Sequence, residues 1–323
     1  MAILVTGGAG YIGSHTAKAL SRAGLEPVVV DSLERGQREA VRWGPLVEAN
    51  VGDRGALRDV FHRYTIDAVL HFAAFISVGE SMQHPALYFQ NNVVNTLNLL
   101  EAMRENEIGK IVFSSSAAVY GLPERVPIAE DHPLDPVNAY GESKRMVESL
   151  LEWYGRIHDL RWVALRYFNA AGADLEGELG ENHDPETHLI PLAIRAALGQ
   201  MPHLEIFGSD YETADGTAIR DYLHVADLAE AHLSALRYLN SGGASAAFNV
   251  GTGQGHSVRE VVAAVARISG QEVKVRESAR RAGDPASLVA DPSRAATVLK
   301  WQPEHSSLDE IVRTAWTRMQ NHC

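Results

Sequence analysis

Tyr140 and Lys144 stand four residues apart in Tyr140-Gly141-Glu142-Ser143-Lys144. A helix predicted over about 139–158 would carry the phenol and the ammonium on one face. With an ordinary pKa of about 10, a phenol is a poor base at neutral pH. A cation held beside it favours the phenolate, and a positioned phenolate can take a proton. On an isolated helix the same pair would be a solvated i,i+4 contact, so its meaning depends on its surroundings. Ser114-Ser115-Ser116 directly follows the apolar run Lys110-Ile111-Val112-Phe113, at the strand end where open parallel sheets bind ligands.

A second constellation opens the chain. Thr6-Gly7-Gly8-Ala9-Gly10-Tyr11-Ile12-Gly13 lies between the apolar run Ile3-Leu4-Val5 and a helical segment at 11–23. Glycines at 7, 10 and 13 let the turn close, let backbone N–H groups approach a pyrophosphate, and let the helix pack on the strand. Asp31 ends the next apolar run, 18 residues after Gly13. An acid there accepts hydrogen bonds from ribose hydroxyls and repels a 2′-phosphate, which points to NAD rather than NADP.

The elements that must position these groups follow from periodicity. Short apolar runs at 3–5, 27–30, 46–48, 68–71, 110–113 and 161–166 alternate with helical segments at 11–23, 57–64, 85–105 and 139–158. Gly24 suits a helix stop and Pro85 a helix start. Strands separated by single helices predict right-handed crossovers and a doubly wound α/β sheet of the Rossmann kind. Residues 172–188 are polar and aperiodic and read as loop. Helices near 189–198, 225–239, 258–268 and 308–319 then mix with strands near 204–207, 246–250 and 273–276. The expected organisation is a NAD-binding domain over 1–170, with 224–250 returning to it, and a smaller mixed α/β lobe over 171–323.

Composition narrows the class. The chain has 323 residues, 46% hydrophobic and 22% charged, as in globular proteins. No apolar run nears the ~18–20 residues of a membrane span, and no leader-like segment opens the chain. Cys323 is the one cysteine, so no intrachain disulfide can form, and a cytoplasmic location is expected. A net charge of −12 argues against general nucleic-acid binding, though not against a local basic pocket for a small anion. The 14 histidines lack HExxH or paired Cys/His spacing, so no metal site is expected.

Taken together these motifs resemble the extended short-chain dehydrogenase/reductase family, and within it the UDP-glucose 4-epimerases. The resemblance runs through TGGAGYIGSH at 6–15, HFAAFISVGES at 71–81, NNVVNTLNLL at 91–100 and FSSSAAVYG at 113–121. It continues through YGESK at 140–144, RYFNAAGA at 166–173, IFGSDYETADGTAIRDYLHVADLA at 206–229 and RRAGDPASLVAD at 280–291. The last two lie outside the generic cofactor half, so shared Rossmann architecture does not account for them. The resemblance implies Tyr140 as the base, Lys144 on the nicotinamide ribose and Ser116 at the sugar 4-oxygen. It implies a NAD site formed by those two and Gly7, Gly10, Tyr11, Ile12, Gly13, Asp31, Asn50, Val51, Phe72, Ala73, Ala74, Asn92, Ser114 and Tyr167. Beside Ser116 and Tyr140, the UDP-hexose would meet Asn169, His188, Leu189, Phe207, Arg220, Tyr222, Arg281, Asp284 and Leu288. Two arginines suit a diphosphate, and a phenyl face suits uracil.

The implied reaction is reversible 4-epimerisation of UDP-glucose and UDP-galactose: hydride passes from C4 to bound NAD, the 4-keto sugar turns, and hydride returns to its other face. Alternatives are a 4-epimerase of UDP-N-acetylhexosamine or another nucleotide sugar, a uronate decarboxylase, a 4,6-dehydratase, or a NAD-sensing protein without catalysis. A dehydratase needs the acid–base pair its relatives carry where this chain has Ala117 and Ala118. A mere sensor needs neither the Tyr140–Lys144 pair nor a second anion pocket.

Four positions depart from the commoner family pattern. Asn50 replaces an acid at the adenine, with an amide oxygen still able to accept. Ile76 replaces a lysine that reaches the cofactor phosphates, and His188 an asparagine at the pyrophosphate. Leu288 holds the position that gates room for a 2-N-acetyl group, where its size is intermediate. By the same analogy, helices at about 86–105 and 139–158 would pair with their symmetry mates in a four-helix bundle, giving a homodimer. Leu97, Leu100, Met103, Met146, Leu150 and Tyr154 are the apolar candidates for that face or for the chain's own core.

Overall fold

The computed structural model describes residues 1–281 and 283–321, so Cys323 lies outside the described residues. Its strands are β1 (Ala2–Thr6), β2 (Glu26–Asp31), β3 (Leu46–Glu48), β4 (Ile66–His71), β5 (Lys110–Ser114), β6 (Arg161–Tyr167) and β7 (Asn169–Ala171). They continue as β8 (Leu204–Phe207), β9 (Ile219–Arg220), β10 (Tyr222–His224), β11 (Ala246–Val250), β12 (His256–Ser257), β13 (Val275–Ser278) and β14 (Ser287–Leu288). Helices α1 (Tyr11–Arg22), α2 (Arg54–Arg63), α3 (Val78–Gln83), α4 (Pro85–Tyr88), α5 (Asn95–Glu105) and α6 (Ala139–His158) occupy the first half. The second half adds α7 (Leu189–Ala197), α8 (Val225–Asn240), α9 (Val258–Ser269) and α10 (Leu308–Gln320).

Seven parallel strands form the main sheet, in the order β11-β6-β5-β4-β1-β2-β3. The chain reverses direction across the sheet between β1 and β4, which opens a crevice at their C-terminal ends. The predicted Rossmann arrangement is present. Its strands are apolar without alternation because helices cover both faces. Ile3, Val5, Val29 and Leu70 face the layer that includes α1 and α8, whereas Leu4, Val28, Val30 and Val69 face α2, α5 and α6. Thr6, Asp31, His71, Ser114 and Tyr167 end their strands, so the sheet delivers them to one edge.

Local chemistry fixes the helices beside that edge. Asp53 accepts the Gly55 and Ala56 N–H groups and starts α2 at Arg54, three residues earlier than apolar spacing predicts. Pro85 opens α4 as expected, and residues 89–94 continue it through wider π-type turns into α5. Leu100 and Met103 are about 1% exposed and belong to the chain's own core, not to a subunit face. Leu150 and Tyr154 pack partly against that same core.

The second lobe gathers α7, α9 and α10 around Ile190, Ile194, Leu204, Tyr222, Val261, Val265, Ile311 and Val312. Its strands pair in small sheets: β7 with β10, β8 with β13, and β9 between β12 and β14. The strand predicted at 273–276 sits at 275–278, because Val275 takes its register from Leu204. Strands β7, β9, β10, β12 and β14 have two or three residues each and carry no readable period.

Candidate functional site

The glycine turn is closed by contact. Gly7 has φ +72°, and a Cβ there would stand 2.5 Å from the Ala73 nitrogen. A Cβ on Gly13 would stand 2.3 Å from the Gly7 carbonyl oxygen, so the start of α1 packs on the turn only as glycine. Gly10 caps α1 without a side chain, leaving the first-turn N–H groups uncapped by any side chain and open to an anion. Asp31 accepts the Ala9 N–H at 2.9 Å on one carboxylate oxygen and the Leu33 N–H at 2.8 Å on the other. Each oxygen keeps a lone pair for a ribose diol. A glycine cradle with an acid at the next strand end fits NAD.

Neighbouring residues depart from expectation in their hydrogen bonds. Asn50 Oδ1 accepts the Gly52 N–H at 2.7 Å and Asn95 Nδ2 at 3.1 Å, so the oxygen expected to stay open for adenine is engaged within the chain. Asn92 accepts the Phe75 N–H at 2.8 Å and donates to the Phe75 carbonyl at 3.0 Å and Ser143 Oγ at 3.0 Å. Its amide thus fastens the 72–76 segment to α6 rather than lining the pocket with free polar atoms. Tyr11 donates to the Gly172 carbonyl at 2.7 Å, tying the turn to the second lobe. Val51 is buried, and Phe72 packs 4.6 Å from the His232 ring. Phe72, Ala73 and Ala74 follow β4 at the same sheet edge, and Ile12 lies in the first turn of α1. Ile76 is exposed, and the Arg35 guanidinium lies 5.2 Å over the adjacent Phe75 ring.

The α6 helix begins where Asn138 accepts the Gly141 N–H, which sets Tyr140 and Lys144 one turn apart facing the sheet edge. Both are buried. Lys144 Nζ donates to the Ser114 carbonyl at 2.8 Å and lies 4.8 Å over the Phe113 ring and 5.9 Å over that of Tyr140. Burial pushes the Lys144 ammonium down to about 7, against the pull of Glu148 one turn further on. Burial and the neighbouring Tyr167 push the Tyr140 phenol well up, and a hydrogen bond with Ser116 draws it partly back. Tyr167 approaches Ser114 Oγ at 3.4 Å. Ser116 Oγ also accepts the Ala118 N–H at 3.1 Å, which shapes the loop holding Ala117 and Ala118.

Below this loop lies a buried network that sequence reading missed. Ser115 Oγ donates to Glu148 at 2.5 Å, and Arg166 grips the same carboxylate at 2.6 and 3.1 Å. Arg166 also donates to Tyr120, whose hydroxyl donates to Asn249 at 2.6 Å. The pair spans a helix and a strand, so no local spacing announces it.

On the far side of the crevice the predicted UDP contacts gather on short elements. Asn169 and Tyr222 face each other in the β7–β10 ladder, and Arg220 and Leu288 do so in the β9–β14 ladder. Arg220 pairs with Asp284 and donates to its neighbour's carbonyl at 2.7 Å. The Arg281 guanidinium sits 4.0 Å over the Phe207 ring, covering one of the faces expected to stack on uracil. Leu288 packs beside Ala117, Val119 and Tyr120, just beyond Ser116. Leu189 is the first residue of α7, and His188 is its N-cap.

His188 is held differently from an open pyrophosphate ligand. Its Nδ1 lies 2.8 Å from Glu181 and 3.0 Å from Glu186, while His183 approaches the same two carboxylates. Against the penalty of burial, these carboxylates raise His183 to about 9 and His188 to about 10. This group went unread in the sequence, although Glu181-x-His183-x-x-Glu186-x-His188 was there to be noticed.

Residues 3–251 match the NAD dependent epimerase/dehydratase family. A UDP-glucose 4-epimerase of Rhizobium leguminosarum bv. trifolii is 51% identical over 314 residues, covering 97% of this chain and 96% of its own. The crystal structure of the Brucella ovis UDP-glucose 4-epimerase in complex with NAD has a TM-score of 0.96 at 51% identity, over 98% of this chain and 97% of that one. The Bifidobacterium longum UDP-glucose 4-epimerase in complex with NAD+ and UDP gives a TM-score of 0.94 at 35% identity, over 99% and 98%. Full-length identity at this level, on a fold that presents the tyrosine, lysine and glycine turn at one edge, places this chain in the NAD-dependent epimerase/dehydratase family, among its UDP-glucose 4-epimerases.

Proposed function

We propose that the chain interconverts UDP-glucose and UDP-galactose by oxidising and re-reducing C4 within one pocket. The observation that carries this reading is the burial of Tyr140 and Lys144 together at the sheet edge, with the Lys144 ammonium 5.9 Å from the Tyr140 ring and anchored on the Ser114 carbonyl. Bound NAD supplies the hydride acceptor at C4 and, once reduced, the donor. Tyr140, as phenolate, takes the proton of the 4-hydroxyl and gives it back on the return step. Ser116 holds the 4-oxygen in line, and the Lys144 charge offsets the cost of a buried phenolate. Arg220 and Arg281 hold the diphosphate, so the oxidised sugar turns without leaving. Ala117 and Ala118 offer only methyl groups beside it, which leaves C5 and C6 untouched.

Residues 1–170 with 224–250 form, in this reading, the cofactor unit. Its support is that β11 extends the main sheet beside β6 while α8 packs in the same layer as α1. The remainder forms the nucleotide-sugar lobe. A homodimer through α5 and α6 completes the proposal, as does a cytoplasmic setting in galactose metabolism. Leu97 and Met146 stay exposed on those helices, and Val94, Trp153 and Ile157 join them.

The test is conversion with no added oxidant. Purified protein given UDP-galactose should form UDP-glucose, and Tyr140→Phe should lose at least ~100-fold in rate while keeping its NAD. Absence of conversion by the unaltered protein overturns the reading. A parallel arm with UDP-N-acetylgalactosamine reads the gate at Leu288, where exclusion is expected from a partly buried leucine packed on the 117–120 loop.

A further inference from the structure

Glu181, His183, Glu186 and His188 each present one ligand atom to a common point, and these atoms lie within 4.8 Å of one another. His188 Nδ1 is 2.8 Å from Glu181 and 3.0 Å from Glu186, and His183 Nδ1 is 3.2 and 3.8 Å from them. A tetrahedral ion with bonds of ~2.0–2.1 Å sets its ligand atoms about 3.4 Å apart, in the middle of this range. The side chains of Glu181 and Glu186 are only 6% and 1% exposed, and among the described residues no lysine or arginine pairs with either. Two carboxylates shut away from water need positive charge, which here only protonated His183 and His188 or a bound ion can supply. His183 Nδ1 is itself closed off from solvent and makes no aligned hydrogen bond. An imidazole nitrogen that lies 3.2 and 3.8 Å from two carboxylates without an aligned hydrogen bond to either has the placement of a metal ligand.

The same loop supplies the contrast. Asp174, Glu176 and Glu178 also converge, but Lys18 lies between them and pairs with all three. That acidic cluster already has its cation in the protein. The 181–188 group has no lysine or arginine among the described residues, only the imidazoles of His183 and His188, whose ring nitrogens can hold either a proton or a metal ion.

We propose that Glu181, His183, Glu186 and His188 bind one divalent transition-metal ion of the zinc type. Two imidazoles with two carboxylates suit a borderline ion such as Zn2+, while Mg2+ and Ca2+ prefer all-oxygen, higher-coordinate sites. The ion is structural: four protein ligands leave no open position for substrate. It pins a loop with no regular structure of its own between Tyr11, whose ring lies 6.3 Å from that of His183, and the N-cap of α7. One ion thereby fixes the spacing between the glycine turn and the lobe bearing Leu189. This inference is independent of the reaction assigned above, and metal binding and turnover are measured separately.

The experiment uses the full chain with its NAD and with any affinity tag removed, stripped by a chelator and dialysed. Zn2+ titration should then saturate at one equivalent, raise the thermal midpoint and survive a large excess of Mg2+. Co2+ in its place should give the intense visible bands of a tetrahedral site. Glu186→Gln and His183→Gln should each cost more in Zn2+ affinity than the ~10–100-fold typical of losing a supporting group. Failure of the unaltered protein to take up one equivalent, octahedral Co2+ spectra, or equal binding by both variants would each overturn the proposal. Because the unaltered protein carries the decisive titration, misfolding of a variant cannot hide the answer.

Discussion

Tyr140 and Lys144 sit in opposed fields. Burial drives the phenol up and the ammonium down to about 7, so each loses its charge unless the other keeps its own. A charged Lys144 favours the phenolate; removing that charge leaves the burial penalty and the neighbouring Tyr167 opposed on Tyr140 by Ser116 alone. Lys144→Met should therefore move the acid limb of the kcat/KM profile toward higher pH by at least ~1 unit and lower the rate at pH 7 by roughly 100-fold. A pH–rate profile over the whole range checks this. A limb that stays in place while the amplitude falls would confine Lys144 to holding ribose. Both residues were legible in the sequence because type and spacing suffice for an i,i+4 pair. Asn50, Asn92 and Phe207 were legible only as positions, since what their side chains do depends on Gly52, Phe75 and Arg281, reached through the fold.

At the scale of elements, α6 performs two tasks on different faces. One face puts Tyr140, Lys144 and Val147 against the sheet, and the other leaves Met146, Trp153 and Ile157 in solvent. Trp153 and Ile157 are 57% and 63% exposed, an apolar cost that a helix bears without penalty only if something covers it. Sequence periodicity located this helix to the residue, as it did β11, because twenty residues of 3.6 period and a five-residue buried strand leave a strong pattern. It could not say which apolar residues faced outward: Leu100 and Met103 turned to the core, and Trp153 and Ile157 were overlooked. Nor could it see β9 or β14, which exist only because Ile219 and Arg220 find partners tens of residues away. If a second copy covers the α5–α6 face, Trp153→Glu with Ile157→Glu should give a monomer by sedimentation velocity. The unaltered chain should sediment as a dimer, and a monomer there would remove the bundle from the proposal.

For the molecule as a whole, the question is what couples the main sheet and its helices to the second lobe. Lys18 on α1 is the clearest answer. Its ammonium is buried, and it reaches Asp174 at 2.7 Å and Glu176 at 3.0 Å, with Glu178 closer still. Burial alone would lower this lysine, and the three carboxylates more than reverse that, so its pKa is raised in the folded chain. A base with a raised folded pKa gives its stabilisation in full below its unfolded pKa of about 10.4, and loses it as pH climbs through the higher folded value. At neutral pH the contact is therefore fully formed. Lys18→Met keeps the length and apolar stem but leaves buried Asp174 with no cation at that point. Removing one partner of a buried pair costs ~3–5 kcal/mol, and the exposure of Glu176 and Glu178 to water places this case near the lower end, about 3 kcal/mol. Urea unfolding at pH 7 measures it, with Lys18→Arg expected to keep most of the stability. A loss within ~0.5 kcal/mol, as for a surface pair, would show that the lobes are joined elsewhere. The Tyr11–Gly172 hydrogen bond and the 181–188 loop lie on the same seam, so the loss should be larger when the chelator-stripped protein is unfolded.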